Sequence, residues 1–349
     1  MTLITYVTRI HFADRILEDA LAEELARCRS RRPLIVTEAD GTGEELLERL
    51  FDALPVAAEP VRFIPAGSRL AATDLASARE LHQGAGCDAV IGFGGMRPLD
   101  LARLLASRLA ARVIAVPTRT ESVGLGPLGV PFARAAGREA KVPAAILCDA
   151  TLTLGADPRS TAEAGMVALV QCLEAYLGTA FNPPADGIAL DGLHRAVRHL
   201  EPAVEGPPDL ACRRELLAAA LNAGLAAQKG FGGIEAAARA LEEEVEPALR
   251  HGAAHAALLP AVLAFNRPAI ADRIAAIAAA FGLPEGADLG LALVDLARRV
   301  GLPERLATIG VEAGMLDRAA PAAAADAANR TNPRHARAED YRTMMLAAL

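Results

Sequence analysis

Apolar runs of strand length punctuate the first part of the chain: Pro33–Thr37, Val61–Pro65, Ala89–Phe93, Val113–Pro117 and Ala145–Cys148. Between them lie stretches with helical spacing of apolar positions, Arg15–Cys28, Glu44–Leu54, Thr73–Gln83 and Leu99–Leu109. A short apolar run followed by an amphipathic stretch, repeated, predicts β-α units wound around a parallel sheet. The runs lack clean two-residue alternation, which predicts strands covered on both faces.

Past residue 155 the texture changes. Ala, Leu, Glu and Arg dominate, β-branched runs vanish, and Pro or Gly separates pieces of helix length. Ser160-Thr161-Ala162-Glu163 predicts a capping box opening a helix that runs towards Tyr176. Loops are expected at Gly178, Asn182-Pro183-Pro184, Gly206-Pro207-Pro208, Gly282-Leu283-Pro284 and Gly301-Leu302-Pro303. A soft helix is expected over Ala319–Ala328, and the acidic run Glu242–Glu246 reads as an exposed helix face. The expected organisation is an α/β domain over residues 1–153 and an all-helical domain over 154–349.

Composition narrows the function classes. At 349 residues the chain exceeds a usual single domain, and 52% hydrophobic residues suffice for a large core. Its net charge of −7, with no Trp and three Tyr, excludes the concentrated basic face that nucleic acid requires. The five cysteines, Cys28, Cys87, Cys148, Cys172 and Cys212, are scattered without a C-x-x-C pair, so a reducing cytoplasm is the expected compartment. Met1-Thr2-Leu3-Ile4-Thr5 has neither a basic n-region nor an apolar h-region, so no secretion signal is expected. Ala-rich stretches such as Leu216 to Ala227 fall short of the roughly 20 apolar residues that cross a bilayer.

Five segments stand out in order along the chain. Asp88 to Asp100 holds an apolar strand, Gly94-Gly95, then Met96 and Arg97. Val113 to Arg119 is a strand ending in Pro117-Thr118. Cys148-Asp149 precedes a helical stretch containing Val167, Gln171 and Glu174. Arg250-His251-Gly252 leads through His255 and Pro260 to Phe265-Asn266, and Thr331-Asn332-Pro333-Arg334 lies near the C-terminus. Together these segments resemble the iron-containing alcohol dehydrogenases, and among them the maleylacetate reductases. The resemblance implies a Rossmann-like parallel-sheet domain followed by an all-helical domain, the dehydroquinate synthase-like/alcohol dehydrogenase fold. It also implies NAD or NADP as cofactor, a small, anionic carbonyl compound or alcohol as substrate, and a homodimer.

That family holds a divalent ion with one Asp and three His, the ion polarising the substrate oxygen. The first two ligands lie four residues apart on one helix face. The resemblance puts Val167 and Gln171 there, and neither replaces a carboxylate or an imidazole. The third falls near Gly233–Arg239, where Glu235 is the only carboxylate; the fourth is His251. No tightly bound metal is therefore expected. His251 and His255 form an i,i+4 pair that could chelate an ion, sit hydrogen-bonded to protein or water, or perform acid–base work on a bound ligand.

A glycine turn between a strand and a helix lets backbone N–H groups approach a pyrophosphate. Gly94 and Gly95 keep part of that turn, with Met96 and Arg97 in place of the family's glycine and serine. Arg97 would favour a phosphate. Thr118 opens the loop the family uses near the phosphates, to which Glu121 adds a negative charge. Glu38 and Asp40, past the second strand, are placed either to accept hydrogen bonds from a ribose, favouring NAD, or to lie in a solvated loop. Asp100 and Glu174 read as braces, and Lys141 as a solvated charge. Three functions stay open: a reductase working without the usual metal, with His251, His255 or Arg97 facing the carbonyl oxygen; a non-catalytic homologue; and a non-redox enzyme of the dehydroquinate synthase kind.

Overall fold

The computed structural model describes residues 8–38, 44–66, 70–121, 123, 125, 141–245, 249–284 and 286–349. One compact unit runs as far as Ala156 and a second from Asp157 to Leu349.

The first unit is a parallel sheet of six described strands. The strands are β1 (Arg9–Phe12), β2 (Pro33–Val36), β3 (Val61–Phe63), β4 (Ala89–Gly94), β5 (Arg112–Pro117) and β6 (Ala145–Cys148), in the order β1-β6-β5-β4-β2-β3. Helices α1 (Ile16–Cys28), α2 (Glu44–Asp52), α3 (Ala72–Gly84) and α4 (Met96–Leu109) connect them. Alternate residues of one strand feed two separate cores. Ile35, Ile91, Ile114 and Leu147 pack with Leu17, Leu21 and Leu25 of α1. Leu34, Val90 and Val113 pack with Leu101 and Leu105 of α4. Both faces are thus apolar, which is why the pattern showed no alternation.

Strand β1 has no apolar run to announce it. It lies at the sheet edge, pairing only with β6, and its alternate residues Arg9 and His11 both reach the buried carboxylate of Glu24 on α1. Helix α4 begins at Met96, three residues before the expected Leu99, because Arg97-Pro98 fits a first turn that needs no N–H from proline.

The second unit is helical: α5 (Pro158–Leu177), α6 (Pro183–Glu205), α7 (Leu210–Ala226), α8 (Gly233–Glu242), α9 (His251–Asn266), α10 (Ala271–Ala280), α11 (Leu289–Arg299), α12 (Leu316–Ala325) and α13 (Ala338–Ala348). The cap of α5 is Asp157, not Ser160. Asp157 accepts from the Ser160 N–H and hydroxyl, and Pro158 occupies the first turn. Helix α9 packs against α5, α8, α11 and α13. Gly252 permits its approach to α5, since a Cβ there would stand 2.1 Å from the Glu163 carbonyl oxygen. Glu246 of the acidic run lies outside the described residues, and Glu242 to Glu244 do not form an exposed helix face. Helix α8 ends at Glu242, Glu244 pairs with Arg318 at 2.7 Å, and Glu242 turns towards His251. No described helix is long and apolar enough to cross a membrane, and the cysteines are free.

Candidate functional site

Glu235 sits in the first turn of α8, one helical turn before Arg239, and both side chains are buried. The Arg239 Nε lies 2.8 Å from Glu235 Oε1, and Arg239 Nη1 lies 3.5 Å from Asp326. The other carboxylate oxygen, Oε2, receives the Gln171 amide at 3.3 Å from α5. It also faces Nε2 of His251 at 3.5 Å and Nε2 of His255 at 3.2 Å from α9. Nitrogen-bearing side chains from three helices therefore converge on one carboxylate. Glu235, the carboxylate in the segment expected near the third ligand position, stands with Gln171 and His251.

The support beneath Glu235 is equally specific. Glu174 on α5 accepts the backbone N–H groups of Gly232, Ile234 and Glu235, the orphan donors of the α8 N-terminus. Asn332 accepts the Gly233 N–H and exchanges paired amide bonds of 2.9 Å with Asn266. Thr331 donates to the Phe231 carbonyl. Segments 265–266 and 331–334 thus fix where α8 begins, and so where Glu235 points. Glu174 is the brace expected of it.

Electrostatics follow from this arrangement. Burial would raise the Glu235 pKa, but Arg239 and then His251 hold it well below the usual carboxylate range. Burial would lower His251, yet Glu235, with Glu242 at 3.5 Å from Nδ1, holds it up at about 10. His255 is fully buried; burial and the neighbouring His251 charge push it down to about 4. At neutral pH the pair is one imidazolium and one neutral ring, 4.5 Å between centroids.

A divalent ion fits these residues poorly. One donor atom each from Glu235, His251 and His255 comes within 4.8 Å of the others, a spacing an ion could bridge. Val167, however, is buried and has no electron pair to give. Gln171 turns its N–H group to Glu235, and Arg239 already holds the remaining carboxylate oxygen. An ion there would meet a guanidinium on the same carboxylate. The cluster is an anion gripped by N–H donors, the inverse of a cation gripped by lone pairs.

In the first unit, three adjacent strand ends carry the glycine turn and its neighbours. Gly94 closes β4 with φ +142°, a conformation that favours glycine. The Gly95 N–H donates to Glu38 Oε1 at 3.1 Å and the Met96 N–H to Glu121 Oε1 at 3.2 Å. Arg119 lies 3.5 Å from Glu38. Thr118 is tied to Gly94 by its backbone N–H, and its buried hydroxyl finds no hydrogen-bond partner among the described residues. The turn therefore fits an anionic group: two N–H donors already hold carboxylate oxygens where phosphate oxygens would sit, and a third polar atom waits.

Of the residues expected at the cofactor, Glu38 and Thr118 both bond to the Gly94–Gly95 turn. Glu38 serves the glycine turn, and Asp40 lies outside the described residues. Arg97 is half-buried in the first turn of α4. Lys141 donates to the Ala111 carbonyl at 2.7 Å instead of standing solvated, and Asp100 braces α4 by pairing with Arg103 at 3.3 Å. Arg239 and Glu242 were missed. The clue to Arg239 was its i,i+4 spacing from Glu235 on an otherwise apolar helix.

Comparison with known proteins identifies the family. A family model described as iron-containing alcohol dehydrogenase matches residues 8–126, and one for the C-terminal part of the Fe-containing alcohol dehydrogenase family matches residues 161–349. The 4-hydroxybutyrate dehydrogenase of Cupriavidus necator is 34% identical over 380 aligned positions, covering 99% of both chains. The crystal structure of maleylacetate reductase from Rhizobium sp. strain MTP-10005 superimposes with a TM-score of 0.82 at 26% identity, over 100% of this chain and 98% of its own. Sulfoacetaldehyde reductase from Bifidobacterium kashiwanohense, solved with NAD+, shares the fold with a TM-score of 0.85 at 20% identity, over 99% of this chain and 98% of its own. The chain belongs to the iron-containing alcohol dehydrogenase family.

Proposed function

We propose that this chain is an NAD(P)-dependent oxidoreductase of a small carbonyl compound that works without a bound metal. Its family membership supports the redox reaction. The observation that carries the metal-free reading is the Glu235 carboxylate, surrounded by Arg239, Gln171, His251 and His255. A carboxylic acid substrate is favoured, given the likeness to 4-hydroxybutyrate dehydrogenase.

The bound nicotinamide supplies the hydride. The residues that would hold its phosphates are those of the glycine turn, with the N–H groups of Gly95 and Met96 and the Thr118 hydroxyl. On the other reactant, the carbonyl oxygen gains an electron pair as the carbon accepts hydride, and needs a proton. His251 supplies it from Nδ1, the nitrogen that faces Glu242 at 3.5 Å. Glu235 keeps the ring charged beforehand and stabilises its orientation through Nε2. His255, fully buried, holds Glu235 in place and leaves the proton transfer to His251. In this reading the protein is a cytoplasmic homodimer with no nucleic acid or membrane partner.

The test is the enzyme dialysed against a strong chelator, assayed with 4-hydroxybutyrate and NAD+ and with maleylacetate and NADH. Turnover unchanged by the chelator is expected. Turnover lost on chelation and restored by one equivalent of zinc or iron would refute the metal-free reading.

A further inference from the structure

The donors that the cofactor phosphates require are already occupied. Helix α4 is 14 residues long, and its N-terminal N–H groups carry the positive end of its dipole. Of these, the Gly95 and Met96 donors hold carboxylate oxygens of Glu38 and Glu121 at 3.1 and 3.2 Å. The occupant lies close over Gly95: a Cβ there would come within 2.5 Å of Glu121 Oε1. Two carboxylates beside one turn repel each other, and Arg119, 3.5 Å from Glu38, offsets that repulsion. The Thr118 hydroxyl on the adjoining strand end is 4% exposed and has no hydrogen-bond partner among the described residues. A buried hydroxyl left so, beside an occupied anion cradle, points to a ligand larger than a carboxylate.

We propose that Glu121 is a built-in stand-in for a cofactor phosphate, an affinity-determining residue that the dinucleotide must displace from the Met96 N–H before it binds. The proposal rests on the reading of this chain as a dinucleotide enzyme. Glu121 and a phosphate need the same donor, so only one can hold it. The exchange adds the Thr118 hydroxyl as a donor, and Arg119, beside Glu38, remains next to the turn to offset the phosphate charge. It also returns a partly buried carboxylate to water, and burial already disfavours that group's charged form. Glu38 contributes in the same sense at Gly95, so a dinucleotide with an extra ribose phosphate meets more negative charge near β2 and binds more weakly.

The experiment is a titration of NADH fluorescence on the wild-type protein, Glu121→Ala and Glu121→Gln, paired with thermal unfolding of each free protein. Glu121→Ala is expected to bind NADH about tenfold more tightly, roughly one charge-assisted hydrogen bond. The free variant is expected to unfold at a lower temperature, because α4 has lost a cap. Glu121→Gln, which keeps an acceptor and loses the charge, should fall between. Inorganic pyrophosphate should compete with NADH more strongly on Glu121→Ala. A merely structural role would weaken stability and affinity together. Equal NADH affinity in all three proteins would overturn the stand-in and leave the cofactor reading intact. Absence of binding by every form, with the folded state verified by unfolding, would overturn both.

Discussion

The Nε of Arg239 stands 2.8 Å from Oε1 of Glu235, with both side chains withdrawn from solvent. A buried pair of this kind is weak evidence for stability, but breaking it by removing one partner is costly because the other charge is left stranded. Glu235→Ala leaves Arg239 with Asp326 at 3.5 Å and His251 with Glu242 at 3.5 Å, each having lost its shared buried partner, and should destabilise the protein by about 3–5 kcal/mol. Adding Arg239→Ala should recover part of that loss. Urea denaturation of the two single variants and the double variant measures the coupling, and strictly additive effects would contradict the ion pair.

His251 carries the next expectation. Its ring is held protonated up to about pH 10 by Glu235 and Glu242, and in the proposed mechanism reduction consumes that proton. The kcat/KM for carbonyl reduction should therefore stay level through neutral pH and fall only as pH rises through the His251 pKa. Glu242→Gln removes one of the two anions that raise this pKa, so the fall should move to lower pH. His251→Asn should slow turnover by about 10²–10⁴-fold, the usual contribution of a general acid. A profile that Glu242→Gln leaves in place would remove His251 from this role.

Much of the fold could be read from the sequence because burial on both faces leaves a one-dimensional trace. Val90, Ile91, Val113 and Ile114 could form nothing but interior strands or a buried helix segment, and their short length decided between the two. Strand β1 left no such trace, since Arg9 and His11 are polar residues aimed at one buried carboxylate. The candidate site was half legible. Loss of the ligand types at Val167 and Gln171 was plain, as was the survival of His251. The pairing of Arg239 with Glu235 was not, because an arginine in an Ala-rich helix reads as solvated until a carboxylate one turn away is also seen to be buried. Gln171 was weighed as a poor ligand, when its contribution is an N–H donor. The direction of Glu121 depends on how two strand ends adjoin, which no local pattern encodes.

Glu24 offers a test of the first unit alone. It is buried, and Arg9 and then His11 lower its pKa against the opposing effect of burial. A carboxylate with a depressed folded pKa adds stability at pH values above its unfolded pKa of about 4.3, and that stability disappears as pH falls through the folded pKa. Wild type should lose stability between pH 5 and the folded pKa, by more than Glu24→Gln does over the same interval. At pH 7 the glutamine variant should be less stable by about 1–3 kcal/mol, the cost of weakening buried hydrogen bonds to charged groups. Chemical denaturation at pH 7 and pH 3 gives both numbers. A pH response equal in the two proteins would mean that Glu24 is not ionised in the fold.

The inverted polarity of the second unit's cluster can be reversed by design. Gln171 and His251 lie around Glu235, and Val167 precedes Gln171 by one turn of α5. Replacing Val167 with Asp, Gln171 with His and Glu235 with His would supply one carboxylate and three imidazoles, a donor set suited to a divalent ion. Arg239 would lose its nearer carboxylate and keep Asp326 at 3.5 Å, a cost in stability that the bound ion offsets. The triple variant should retain about one equivalent of zinc after gel filtration, where the parent retains none, and the ion should raise its unfolding temperature by mass action. Elemental analysis and thermal unfolding with and without chelator read the two effects separately. Zinc retained equally by the parent would mean that Glu235, His251 and His255 already close on an ion, and that Arg239 does not exclude it.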